Sequence, residues 1–193
     1  MIAAATMKRI AEASPSPRAR LTGAVYLLYF LTAVIAEILV GRKFLVYGEV
    51  ANLIAFAFYI AVTLLFYDLF KPVNRSLSLV AALFSLAGCA IGVLGVFHLA
   101  PPNLSPLVFF GPYCLLIGYL ILRSTFLPRI LGALMVAAGV GWFLFLLPPV
   151  ADHLSSYIEV LGIAAEGLLM LWLLVLGVNV QRWKEQADAA VGL

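Results

Sequence analysis

An all-α membrane protein, a compact bundle of about six transmembrane helices with both termini in the cytoplasm, is the fold class this sequence predicts. Three observations carry that expectation. Of 193 residues, 65% are hydrophobic and 11% charged, whereas a soluble domain runs near about half apolar and about a quarter charged. The apolar residues gather into long uninterrupted runs. Lysine and arginine fall in alternate breaks between those runs.

A helix needs about 20 apolar residues to cross a hydrocarbon core of about 30 Å. Six runs meet that need, at about residues 21–40, 49–70, 77–99, 105–122, 130–147 and 157–180. They are continuous rather than alternating apolar and polar, which excludes barrel strands. The first is nearer a full span than the apolar core of a cleaved signal peptide, so it is read as a retained helix. The transmembrane domain then covers residues 21–182, after a basic cytoplasmic arm at 1–20 and before a cytoplasmic tail at 183–193. Short connections join antiparallel neighbours.

Orientation follows from the basic residues, which collect on the cytoplasmic side. Lys8, Arg9, Arg18 and Arg20 in the arm, Lys71 and Arg75, Arg123 and Arg129, and Arg182 and Lys184 put ten on one side, leaving Arg42 and Lys43 on the other. An N-in, C-in arrangement in the cell's inner membrane is expected. Net charge is only +3, and its basic residues are scattered, so no nucleic-acid partner is expected. The lipid bilayer is the expected surrounding. A homo-oligomer is compatible with the sequence, the ligand is not readable, and no cofactor or metal is expected. Cys89 and Cys114 lie in apolar stretches and read as small hydrophobes. Stretches 79–88 and 130–139 each run small and apolar into a glycine after a basic turn, a faint sign of duplication.

An ionised group costs several kcal/mol at mid-bilayer, so intramembrane acids are candidate functional residues. Glu166 is the clearest: about nine residues into the last run, at 1.5 Å per residue, it lies roughly 14 Å deep. Glu159 precedes it by seven residues and Gly162 by four, all on one helical stripe, with the glycine leaving room between two carboxylates. The plainer alternative is a carboxyl that hydrogen-bonds another helix, and for Glu159 a solvated helix start. Glu37, Glu49, Asn52 and His98 crowd the same non-cytoplasmic half, with Asp152 and His153, and are candidate binding residues for one outward-facing cavity. Arg42 and Lys43 are candidate ion-pair partners for Glu37 or Glu49. The two histidines form no metal-ligand spacing. The tryptophans and tyrosines read as packing or interface anchors.

Taken together, Ala36-Glu37, Arg42 to Val46, Glu49 with Asn52, LFKPVNR at 69–75, GYLILRSTFLPRILG at 118–132, and Glu166 leading to LWLLVLG at 171–177 resemble an uncharacterised bacterial family of integral membrane proteins, the domain of unknown function DUF4386. The resemblance covers nearly the whole chain after the arm. It implies the helical membrane fold and places Glu37, Glu49, Asn52, Arg123, Pro128 and Glu166 in family motifs, but implies no activity. The family pattern usually has an aspartate where this chain has Glu49.

No HExxH, CxxC, GxSxG or phosphate-binding glycine loop occurs, which weighs against an enzyme. The leading functional expectation is binding or transport-like handling of a proton, small cation or small amphiphile at a carboxylate-lined cavity. An accessory protein acting through partners comes next. An intramembrane enzyme using Glu166 with His98 comes last, and needs the two within about 3 Å.

Overall fold

The computed structural model describes residues 15–101, 104–144 and 148–191; most of the arm, residues 1–14, lies outside them. Among the described residues the regular structure is entirely helical. Six apolar helices follow one another: α1 Pro15–Gly41, α2 Leu45–Phe70, α3 Arg75–Val96, α4 Leu107–Arg123, α5 Arg129–Leu144 and α6 Pro148–Val175. A seventh, α7 Val180–Val191, is amphipathic. Four of them, α1, α2, α3 and α6, are long and apolar enough to cross a membrane, while α4 and α5 are shorter apolar helices of 17 and 16 residues.

Each helix ends where the sequence leaves it no better option. Asn74 caps α3, its Oδ1 accepting from the Leu77 backbone N–H at 2.9 Å, because the first turn of a helix has no carbonyl partners of its own. α6 runs into Gly177, whose φ of +70° is easy only for glycine. Leu176 and Gly177 both donate backbone N–H groups to the Trp172 carbonyl there. Asn179 then caps α7 by accepting from the Arg182 backbone N–H at 3.1 Å. Relative to the sequence expectation, α6 begins nine residues early, at Pro148, within what read as a connection. Pro112 stands inside α4.

The helices close into a ring in which every neighbour in sequence is a neighbour in space and α6 returns to α1. The tightest pairs are α1 with α2 and α4 with α5. In the second, Gly118 and Gly132 face one another so closely that a Cβ on either would come within 2.8 Å of the other's carbonyl oxygen, the small-residue contact by which membrane helices gain dispersion. Gly92 lies beneath the Phe56 ring and Gly88 against Phe110, so the Gly88–Gly92 pair serves packing inside the chain. The packing pairs α1–α2 with α4–α5, a correspondence different from the one hinted at by stretches 79–88 and 130–139.

The outside of the ring is oily. Along α1, Leu21, Leu28, Leu31, Ile35 and Ile38 are all exposed, a stripe that water would penalise and lipid does not. Between helices, the buried Thr63 and Ser85 hydroxyls bond at 2.6 Å, joining α2 to α3. At one end of the bundle Asp68 accepts from Arg18 of α1 at 3.0 Å and also pairs with Lys71. At that same end α7 lies across the bundle. Its Trp183 Nε1 donates to the Leu69 carbonyl at 3.0 Å, and Gln186 bonds the Thr125 backbone N–H at 3.1 Å. The turn between α4 and α5 is held against α7, with Ser124 buried and bonded to the Ile121 carbonyl.

Candidate functional site

The tyrosines and phenylalanine of α1 stand at 26, 29 and 30, a spacing that puts all three on one side of a helix. Across the ring they meet Tyr59 of α2, with centroids 6.0 Å from Tyr26 and 4.6 Å from Tyr29. Tyr59 in turn meets Phe110 and Tyr113 of α4 edge-on at 5.2 and 6.0 Å. Edge-to-face contacts are the favoured arrangement because a positive ring edge meets a negative ring face.

Glu166 of α6 projects into this aromatic cluster. The Tyr26 hydroxyl donates to Glu166 Oε2 in a short hydrogen bond, and Cys114 Sγ lies 3.8 Å from Oε1. Three helices, α1, α4 and α6, therefore converge on one carboxyl group. Beside it is a cavity of about 180 Å³. Tyr29, Phe30, Tyr59 and Phe110 form its aromatic wall, and Leu107 adds to it. Trp142 of α5 closes another side by lying flat over Gly162, where a Cβ would come 2.5 Å from Cζ2 of the indole. Glycine is thus required there for the indole to sit as it does. Glu166 is half-buried, and Ile163, on the same wall, is 60% exposed on the outer surface, so the cavity reaches the side of the bundle.

α1 and α6 touch at Gly23, whose missing side chain lets the Leu174 backbone approach. Further along, Tyr29 and Phe30 of α1 and Gly162 and Ile163 of α6 all line the cavity. The Tyr59 and Tyr113 hydroxyls are buried without a hydrogen-bond partner. Tyr59 itself lines the cavity, and a buried polar group left unbonded is costly.

Of the residues singled out from the sequence, Glu166 and Gly162 lie at this cavity. Glu159, two turns nearer the start of α6, is exposed. Glu37, Arg42 and Lys43 are exposed as well, and no ion pair joins Arg42 or Lys43 to Glu37 or Glu49 among the described residues. Glu49 instead faces His98, with Nε2 3.9 Å from Oε1. Asn52 is half-buried on α2, one turn beyond Glu49 and away from the cavity wall. The side chain of Asp152 lies outside the described residues. Cys89 and Cys114 are free thiols, and among the described residues no cluster of His, Cys, Asp or Glu could hold a metal ion.

The aromatic wall was absent from the sequence reading. Its one visible trace is the 26, 29, 30 spacing, a stripe that ordinary helix packing also produces.

The sequence profile of a domain of unknown function, DUF4386, matches residues 45–105 and 102–177. An uncharacterized protein of Archaeoglobus fulgidus is 26% identical over 148 residues, covering 72% of this chain and 89% of that protein. No solved structure matches.

Proposed function

We propose that this chain, which belongs to the DUF4386 family of unknown function, is a multi-pass membrane protein that binds a small amphiphile in the cavity beside Glu166. The observation that carries the reading is a carboxyl group inside the bundle next to space, on a wall that reaches the outer surface. A carboxyl serving only as helix glue needs a partner, which Tyr26 supplies, but it does not need a cavity beside it. The walls are mostly ring carbon, with one carboxyl and a few phenols as polar groups, which is how a pocket takes an amphiphile end-on. We place the protein in the inner membrane with both termini cytoplasmic, on the distribution of lysine and arginine. Transport-like handling of the bound molecule is part of the proposal.

His98 does not line the cavity beside Glu166. His98 is 87% exposed and turned to Glu49. A second reading, an accessory protein without chemistry, draws on the Tyr26–Glu166 bond as a tie between α1 and α6.

Infrared difference spectroscopy of the protein in lipid, with a Glu166→Gln control, separates the two. Binding predicts a carboxyl band, lost in the control, that moves when small amphiphiles or cations are added. A Glu166 band that ignores every addition, in a protein whose control variant still folds, would leave the accessory reading.

A further inference from the structure

Resting on the binding reading above, we infer that the molecule taken up beside Glu166 is a small organic cation, an alkylated ammonium. The cavity presents two kinds of surface, and both attract positive charge. One is the carboxyl of Glu166. The other is the set of rings from Tyr29, Phe30, Tyr59, Phe110 and Trp142, whose faces carry the negative lobe of the aromatic quadrupole. No lysine, arginine or histidine lines it. Within the protein the donors that Glu166 meets, Tyr26 and Cys114 among them, are neutral; no ion pair among the described residues includes it.

Other ligand classes fit less well. An anion would face the carboxyl. Calcium or magnesium needs about six or more oxygen ligands, whereas this cavity offers one carboxyl and a few phenols. A neutral hydrocarbon would fill the rings and leave the carboxyl unused. An alkylated ammonium is weakly hydrated, needs few hydrogen bonds and gains from several ring faces at once. Size agrees: a cavity of about 150 Å³ is known to hold benzene, and the space here is about 180 Å³, enough for a trimethylammonium head.

Choline and 3,3-dimethylbutan-1-ol share one shape and differ in having nitrogen with a charge or carbon without one. Each is titrated into the protein in lipid nanodiscs, read by Trp142 emission in a Trp172→Phe, Trp183→Phe background and by calorimetry on the unaltered chain. Choline is expected to bind at least tenfold more tightly than the alcohol. Glu166→Gln is expected to reduce that preference to threefold or less, and Tyr59→Leu to weaken choline about tenfold while changing the alcohol little. Equal binding of the two probes would overturn the cation inference and leave the pocket reading standing. Binding of neither would overturn both.

Discussion

Removing one oxygen atom tests how the ring is closed. Tyr26 is wholly buried, with rings of Phe30, Tyr59 and Phe66 at 5.3 to 6.0 Å from its own. Tyr26→Phe keeps every one of those ring contacts and deletes only the hydroxyl that donates to Glu166. The loss is therefore that of one hydrogen bond between α1 and α6, elements separated by 140 residues at the bonded pair. Interhelical hydrogen bonds in membranes average about 0.6 kcal/mol, with a maximum near 1.7, while bonds to charged groups in proteins run about 1.5–3 kcal/mol. Because the acceptor would be left in an aromatic surrounding, the expected destabilisation is about 1.5 kcal/mol. Reversible unfolding in mixed micelles measures it, with Glu166→Leu as the second single variant and the pair as the double. The cycle is expected to show coupling of about 1 kcal/mol or more, since residues sharing one bond are not additive. Additivity to within about 0.3 kcal/mol would refute the claim that this bond ties α6 to α1.

Gly23→Ala would push a methyl to 2.6 Å from the Leu174 Cα; a backbone cannot yield as a side chain can, so a loss of about 1–3 kcal/mol is expected in the same unfolding assay. Gly162→Val is expected to displace the Trp142 indole and fill the cavity, seen as a shifted Trp142 emission and loss of choline binding with the helix content of the circular dichroism spectrum kept. Gly177→Ala forces alanine to a φ near +70° and should cost about 1 kcal/mol, chiefly by loosening α7, detectable as faster amide exchange there. Asp68→Asn removes partners of Arg18 and Lys71 that are themselves partly exposed, so its effect should stay below about 1 kcal/mol and shrink further in salt.

Hydropathy made the helices legible because lipid demands long apolar runs, and the outward stripe of α1 is the physical residue of that demand. It could not place their ends. Residues 148–156 are polar enough to read as a connection, yet α6 already begins at Pro148, since backbone hydrogen bonding does not stop where hydrocarbon does. The stretch 180–191, read as the last turn of a span and a tail, forms α7 because its Trp183 and Gln186 find partners on the bundle. Glu166 was legible as a buried acid by depth alone. Its surroundings were not: Tyr59 and Trp142 score as apolar whichever way they face, and only the order of helices around the ring decides that Tyr26 and Cys114, 88 residues apart (114 − 26), meet the same carboxyl. Glu49 and His98 illustrate the reverse case, two groups singled out separately that lie against each other.

A closed ring joined in strict sequence order alternates the direction of its helices. With α2 and α3 between them, α1 and α4 run in opposite senses through the ring. On the orientation proposed above, the sidedness signal lies in the connections: Arg42 and Lys43 mark one end, while Lys71, Arg75, Arg123, Arg129, Arg182 and Lys184 mark the other. Moving a few of those charges is then expected to change which compartment the Glu166 cavity faces.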